Sequence, residues 1–224
     1  MSARDARPAA VVFDNDGLLL DTEEAWTRAE VTLFDRHGGV FTHEHKRDLI
    51  GSSHNVAAGK LEAMLGMPGR GLELMAELHD LVMAEALRDV EPRPGAPELV
   101  AALREAGIPV GVASNSPRDF LDRVLATSGM AGRFDVTVAG DEVARPKPEP
   151  DIYVAACAAL GAQPARAVAL EDSPTGAAAA KAAGMTVIGV PYLPDMEIPP
   201  ADLVAGSLAD PVVHEACGLV SSEG

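Results

Sequence analysis

The stretch VVFDNDGLLLDTE, residues 11–23, places an apolar run directly before two aspartates and a glycine. A short apolar run that ends at acidic residues is typical of a buried strand that carries polar side chains to one edge of a sheet. Because side chains alternate along an extended chain, Asp14 and Asp16 should lie on the same side of it. Gly17 would let the backbone turn immediately after them. The stretch therefore predicts a strand that delivers a pair of carboxylates.

The chain from residue 94 onwards alternates short apolar runs with helical patterns, which is typical of a parallel α/β sheet. Counting the first strand, strands are predicted at 9–14, 108–114, 134–140, 167–172 and 186–192, with a short sixth at 203–208. Helices are predicted at 95–107, 116–129, 149–161 and 173–184. Each of these helical patterns ends near a glycine, the usual C-terminal stop. The fold class is therefore α/β, with a Rossmann-like parallel sheet as its core.

One segment interrupts this alternation, because residues 22–93 contain helical patterns and no convincing strand. Asp21, followed three residues later by Glu24, predicts a capping box at the start of the first of these helices. We therefore predict a catalytic core formed by residues 1–21 and 94–224, with an inserted all-helical cap domain at 22–93. A helical module next to the edge of the sheet would suit a lid over a binding site.

The composition limits the possible partners and compartments. The 224 residues carry a net charge of -16, which disfavours binding to nucleic acid or to an anionic membrane. No apolar run approaches the ~20 residues that would span a bilayer, and the N-terminus does not resemble a signal peptide. Cys157 and Cys217 lie far apart and suggest reduced thiols. We expect a cytoplasmic protein, monomeric or weakly homodimeric, that acts on a small molecule.

Polar residues follow four of the predicted strands. In open α/β sheets, ligands bind beyond the carboxyl ends of the strands, so these residues should meet at one site. The four segments are Asp14-Asn15-Asp16-Gly17, Ser114-Asn115-Ser116, Arg145-Pro146-Lys147-Pro148 and Glu171-Asp172-Ser173. Each is weak evidence alone, because a serine after a strand often only caps a helix. Their placement at corresponding strand ends indicates a common site.

The segments FDNDGLLLDTE, VASNS, ARPKPEPDIY and LEDSPTG resemble, in this order, the four motifs of the haloacid dehalogenase superfamily. The resemblance is closest to the β-phosphoglucomutase-like and sugar-phosphatase branch, and it covers about residues 10 to 192. It implies a Rossmann-like core, a helical cap inserted after the first motif, and magnesium-dependent phosphoryl transfer. It also implies that Asp14 is the nucleophile that becomes an aspartyl phosphate. Asp16 would be the general acid and base.

A phosphate dianion next to several carboxylates requires cations. Lys147 would supply one, reaching both the phosphate and Asp14. Mg²⁺ would be the other, held by Asp14, Asp172, the backbone carbonyl of Asp16 and, directly or through a second contact, Glu171. Phosphate oxygens would be bound by Ser114 and Lys147, with Asn115 as a plausible further contact.

Two cap positions bear on the type of reaction. A histidine of the β-phosphoglucomutases is replaced here by Trp26, and His54 stands where their cap arginine would bind a second phosphate. Both departures favour a phosphatase acting on a small phosphorylated metabolite, such as a sugar phosphate. A β-phosphoglucomutase-like mutase and a non-catalytic metabolite-binding protein stay open as alternatives. Trp26 and His54 are candidates for the substrate pocket, although Trp26 could equally serve only to anchor the cap.

Overall fold

The structure is a computed structural model that describes residues 7–86, 90–193 and 195–219. Its centre is a six-stranded parallel sheet in the order β3-β2-β1-β4-β5-β6. The strands are β1 (Ala10–Phe13), β2 (Val110–Ser114), β3 (Val136–Ala139), β4 (Ala167–Glu171), β5 (Thr186–Gly189) and β6 (Leu203–Val204). All six predicted strands are confirmed, each shorter than its apolar run, and β6 contains only two of the six predicted residues. The predicted α/β fold with a Rossmann-like parallel sheet is therefore correct.

Nine helices are present in the described part of the chain. Five of them lie between β1 and β2: α1 (Glu23–Arg36), α2 (His43–Leu49), α3 (His54–Leu65), α4 (Gly71–Ala86) and α5 (Ala96–Glu105). The other four follow later strands: α6 (Arg118–Thr127) after β2, α7 (Asp151–Ala159) after β3, α8 (Pro174–Ala182) after β4, and α9 (Pro211–Ala216) after β6. The short helix α9 was not predicted.

The register of the central strands determines where the site forms. All four residues of β1 are fully buried, as expected for a strand covered on both faces. Phe13 pairs with Leu170 of β4, and the amide of Asp14 donates to the Leu170 carbonyl at 2.9 Å. The end of β1 therefore lies next to Glu171. The chain order reverses between β1 and β4, the position at which such sheets bind ligands.

The helices α1–α4, here called the cap helices, pack mainly on one another through an apolar interface. α4 lies against both α1 and α3, and buried Leu33, Phe34 and Leu61 belong to this interface. The cap predicted from the sequence is thus an all-helical insert after β1. Its boundaries at 22 and 93 stay a prediction, and residues 1–6, 87–89, 194 and 220–224 of the predicted domains lie outside the described residues.

The predicted capping box at Asp21 is wrong. The residue before α1 is Thr22, and its side chain makes no capping hydrogen bond. Its hydroxyl donates instead to Asp16 Oδ1 at 2.8 Å. The Thr22 hydroxyl therefore bonds a residue of the site and does not cap α1. A capping box does occur at α2, where Thr42 and His45 exchange side-chain and backbone hydrogen bonds.

No helix among the described residues is long and apolar enough to cross a membrane. Both cysteines are free and buried, and burial raises the pKa of each thiol.

Candidate active site

A buried lysine joins two strand ends at the centre of the site. Lys147 Nζ lies 2.5 Å from Asp14 Oδ1 and 2.6 Å from Glu171 Oε1. Tyr153 of α7 donates its hydroxyl to the same Glu171 oxygen, and its ring lies below the Lys147 ammonium, 5.1 Å from centroid to Nζ. Glu171 therefore serves, in this geometry, to hold Lys147 against Asp14.

Burial and crowding of like charges alter the acid–base properties of this group. Burial raises the pKa of Asp14 well above its usual range, with Glu171 and Asp16 adding to the rise and Lys147 opposing it. Burial alone would lower the pKa of Lys147, but the carboxylates of Asp14 and Glu171 outweigh it and raise that pKa. The site therefore holds more negative charge than its one ammonium neutralises.

Asp172 is the acid of this site that is best suited to bind a cation. It is buried, and its Oδ2 has no hydrogen-bond partner among the described residues. Burial, then the charges of Asp14 and Glu171, raise its pKa. Oxygens of Asp14, Glu171 and Asp172 lie within 4.8 Å of one another, and hard oxygen ligands suit Mg²⁺. A divalent cation would satisfy the orphaned oxygen and offset the excess charge.

Gly17 is required next to this acid. Its φ of +86° lies in the left-handed region, as the turn expected there demands. A Cβ at this position would lie 2.5 Å from Asp172 Oδ2, so any side chain would occupy the space in front of the carboxylate.

Asp16 lies outside this cluster and is held by hydroxyl groups. Its Oδ2 accepts hydrogen bonds from Ser114 Oγ at 2.8 Å and Ser116 Oγ at 2.9 Å, while Oδ1 accepts from Thr22. Three neutral donors hold the carboxylate, which forms no ion pair within the described part of the chain. From the sequence, Asp16 was predicted to bind the metal through its backbone carbonyl rather than its carboxylate, and this stays a prediction.

The predicted phosphate contacts differ in their placement. Ser114 is fully buried, and its hydroxyl donates to Asp16 rather than lining the cavity; its role in phosphate binding stays a prediction. Asn115 does line the cavity, and its amide bonds both the N–H and the carbonyl of Lys147. It also donates to the Gly51 carbonyl at 3.4 Å, which ties the Lys147 loop to the cap.

A cavity of about 90 Å³ lies between the strand ends and the cap helices, room for several water molecules and thus for a small compound. From the core it is lined by Asp14, Asp16, Asn115, Ser116, Lys147 and Asp172. From the cap side it is lined by Glu23, Trp26, Glu30, Lys46, His54 and Met75, among others. The two predicted pocket residues, Trp26 and His54, both lie on its wall.

Trp26 has two sets of contacts. Its ring packs on Phe120 of α6, with centroids 5.4 Å apart, and it also lines the cavity. The side chain therefore anchors the cap to the core at the same point where it faces the ligand space. The two roles considered for Trp26, pocket residue and cap anchor, are therefore compatible.

A second buried lysine lies on the cap side of the cavity. Lys46 Nζ is 2.5 Å from Glu23 Oε2, 3.2 Å from Glu30 Oε2, and 3.3 Å from the Glu23 carbonyl oxygen. Burial raises the pKa of Glu30 to about 7 although Lys46 opposes the rise. We call Glu23, Glu30 and Lys46 the cap cluster.

Sequence reasoning missed the cap cluster as well as Thr22 and Tyr153. It placed Ser116 at the site, in the segment that follows β2, but gave it no role. No sequence signal points to the cap cluster, because its three members are 7 to 23 residues apart on two helices, and only the fold brings the Lys46 side chain of α2 to the two acids of α1.

The sequence matches the family model of haloacid dehalogenase-like hydrolases over residues 8–184. The chain belongs to this family. Hexitol phosphatase B of Escherichia coli K12 is 33% identical over 218 residues, covering 93% of this chain and 96% of the relative. Validoxylamine A 7'-phosphate phosphatase of Streptomyces hygroscopicus subsp. limoneus is 33% identical over 205 residues, covering 89% and 93%.

Solved structures give the same classification. The crystal structure of CbbY from Rhodobacter sphaeroides in complex with phosphate superposes with a TM-score of 0.79 at 31% identity, covering 91% of this chain and 96% of that one. A variant of the same protein was crystallised with xylulose-1,5-bisphosphate. The resemblance read from the four motifs is thus confirmed, and the chain is a phosphoric monoester hydrolase of the sugar-phosphatase branch.

Proposed function

We propose that this hydrolase is a Mg²⁺-dependent phosphatase that cleaves a small sugar-like phosphate through an aspartyl phosphate on Asp14. The observation that carries the proposal is the buried Asp14–Lys147–Glu171 arrangement at the floor of the cavity, next to an Asp172 oxygen that has no partner among the described residues. The names of two relatives, hexitol phosphatase B and validoxylamine A 7'-phosphate phosphatase, support the substrate class.

Asp14 would attack the phosphorus atom, and the ester oxygen would leave. Lys147 holds Oδ1 of Asp14, so the second carboxylate oxygen of Asp14 is available as the nucleophile. Lys147 then offsets the charge of the phosphoryl group as it approaches a buried carboxylate. Tyr153 and Glu171 fix the position of this ammonium.

Asp14 and Asp172 are the residues that would hold Mg²⁺, with the backbone carbonyl of Asp16 as a further candidate. The bound ion would supply positive charge that lets a phosphate dianion approach these acids. Glu171, already paired with Lys147 and Tyr153, is better placed as a positioning residue.

Asp16 would protonate the leaving oxygen and then remove a proton from the water that attacks the aspartyl phosphate. Among the described residues, the side chains that bond its carboxylate are all hydroxyls, so proton transfer there would break no ion pair among them. Ser116, which bonds Asp16 and also lines the cavity, is a candidate for orienting the phosphate.

Phosphate release measured on a panel of hexose and hexitol phosphates tests the proposal. We expect release that requires Mg²⁺, that EDTA abolishes, and that Asp14→Asn reduces by at least about a thousandfold. Asp35→Asn, the same change on the exposed face of α1, is the control and should retain activity. Release that is equal in Asp14→Asn and the control would refute the proposal; isomerised hexose phosphate without release would favour the mutase.

A further inference from the structure

The cap cluster has no spare positive charge. A lysine ammonium has three N–H donors, and Lys46 Nζ lies within hydrogen-bonding distance of three acceptors, two on Glu23 and one on Glu30. The cluster is neutral when Glu30 is protonated and negative when it is ionised. In neither state does it present a cation to a ligand.

The rest of the cap wall does not supply one either. Among the described residues that line the cavity, the basic side chains are Lys46, Lys147 and His54, and none is an arginine. Lys147 lies on the core side, against Asp14. Two carboxylates and an imidazole therefore line the cap side of the cavity, together with the apolar side chains of Trp26 and Met75.

Such a wall matches a particular ligand chemistry. Carboxylates accept hydrogen bonds from hydroxyl or ammonium groups, whereas a second phosphate or a carboxylate would meet like charge in a buried site. The apolar side chains can cover the C–H faces of a polyol chain or ring. A ligand end rich in hydroxyls, or carrying an amine, would be recognised here.

We propose that the cap cluster makes Glu23, Glu30 and Lys46 specificity-determining residues that select monophosphates of polyols or amino-polyols and reject bisphosphates and phosphorylated carboxylic acids. This inference rests on the proposed function, since it assumes that the phosphate to be cleaved lies against Asp14. It separates the chain from the CbbY relative crystallised with xylulose-1,5-bisphosphate.

Four six-carbon phosphates test the proposal by their kcat/KM values: glucitol 6-phosphate, glucosamine 6-phosphate, 6-phosphogluconate and fructose 1,6-bisphosphate. We expect the first two to exceed the last two by at least about tenfold, the effect of one like charge at close range in a partly buried site. Equal or greater kcat/KM for fructose 1,6-bisphosphate or 6-phosphogluconate would overturn the proposal.

The variant Glu30→Gln removes one charge while keeping the shape of the side chain. Measured at about pH 8.5, where Glu30 is ionised, the change should raise the ratio of 6-phosphogluconate to glucitol 6-phosphate turnover by about tenfold, because Lys46 then has one carboxylate less to neutralise. Glu44→Gln makes the same change on an exposed cap position outside the cavity and should leave the ratio unchanged. Each ratio comes from one preparation, so partial misfolding does not alter it; an unchanged ratio in Glu30→Gln contradicts the proposal.

Binding separates this inference from the proposed function. Calorimetric titration of Asp14→Asn with the same four compounds in Mg²⁺ needs no turnover. Preferential binding of the polyol and amino-polyol phosphates would support selection by the cap cluster. If no compound were hydrolysed, only the proposed phosphatase function would be refuted. Hydrolysis of all four compounds with equal affinities would support the phosphatase and refute selection by the cap cluster.

Discussion

Two lysines of this protein are buried between pairs of carboxylates, one in the core and one in the cap. Lys147 lies between Asp14 and Glu171, and Lys46 between Glu23 and Glu30. Both line the same cavity from opposite sides. The difference is that the core group has an additional acid, Asp172, with an unpartnered oxygen, whereas the acids of the cap group are paired with their lysine.

This difference suggests a division of labour. The core group has a nucleophile and an unsatisfied oxygen, so it can take up a cation and a phosphate. The cap group satisfies its own charges and offers carboxylate oxygens to the remainder of the ligand. A buried lysine between two acids is therefore not by itself evidence of a catalytic site. What distinguishes the core group is the additional acid Asp172, which has an oxygen without a partner among the described residues.

Replacing each lysine by methionine should give the largest contrast. Both Lys147→Met and Lys46→Met leave buried carboxylates without their partner, so each should lower the free energy of unfolding by about 3–5 kcal/mol. Only Lys147→Met should also lower kcat, by about a hundredfold or more, in protein that is still folded. Denaturant unfolding and steady-state kinetics measure the two effects.

The control for both lysines is Lys181→Met, which removes an exposed ion pair with Asp202 and should cost at most about 1 kcal/mol. A loss of kcat in Lys46→Met as large as that in Lys147→Met, at equal stability, would contradict the division between the two groups.

The raised pKa of Glu30 predicts a pH dependence of stability. Its pKa is about 7 in the folded protein and near 4.5 when unfolded, so the folded state retains a proton that the unfolded state has released. The free energy of unfolding should therefore fall as the pH rises from about 4.5 to 7, by about 3 kcal/mol in total, and stay low above that. Glu30→Gln should lack this loss.

The measurement is the difference in unfolding free energy between wild type and Glu30→Gln at several pH values, with Glu44→Gln as the exposed control. A difference that does not change between pH 4.5 and 7.5 would mean that Lys46 keeps Glu30 ionised throughout.

Metal binding should distinguish the two groups with a smaller effect. Asp172→Asn replaces the carboxylate that has a free oxygen, so the Mg²⁺ concentration for half-maximal activity should rise by about 10- to 100-fold. Glu30→Gln, whose carboxylate is already paired with Lys46, should leave this concentration unchanged. Equal Mg²⁺ requirements in Asp172→Asn and wild type would remove Asp172 from the metal site.

The smallest effect is expected from Tyr153→Phe. Its hydroxyl donates to buried Glu171, so its loss should lower stability by about 1–2 kcal/mol and kcat only severalfold, through a less firmly held Lys147. Tyr192→Phe is the matched control, because its bond to Asp21 is longer, at 3.3 Å, and only partly buried. Equal destabilisation by the two changes would argue against a special role for Tyr153.

The core could be predicted from the sequence because its information is local. The six strands appear as apolar runs, and the acids, serines and lysine of the site follow four strand ends that a parallel sheet must bring to one edge. Asp14, Lys147, Glu171 and Asp172 do meet there. Their roles in catalysis and metal binding were implied by the family motifs and stay proposals.

The cap could not be predicted in the same way. Helices place a residue according to how they pack, and nothing in the pattern of residues 22–93 indicates that Lys46 turns inward to Glu23 and Glu30. The capping-box error at Asp21 has a similar origin, because the hydroxyl of Thr22 is used by Asp16, a residue of the core. Contacts between the cap helices and the core could not be predicted from the sequence pattern of either part.

Covalent trapping tests the central claim, that Asp14 attacks the phosphorus atom, most directly. Enzyme mixed with glucitol 6-phosphate and Mg²⁺ is quenched in acid within milliseconds, reduced with borohydride and digested for mass spectrometry. An aspartyl phosphate is reduced to homoserine, so the account predicts homoserine at position 14 in the peptide that contains VVFDNDG, and an unchanged aspartate at position 16. Rapid phosphate release without any homoserine at position 14 would contradict it.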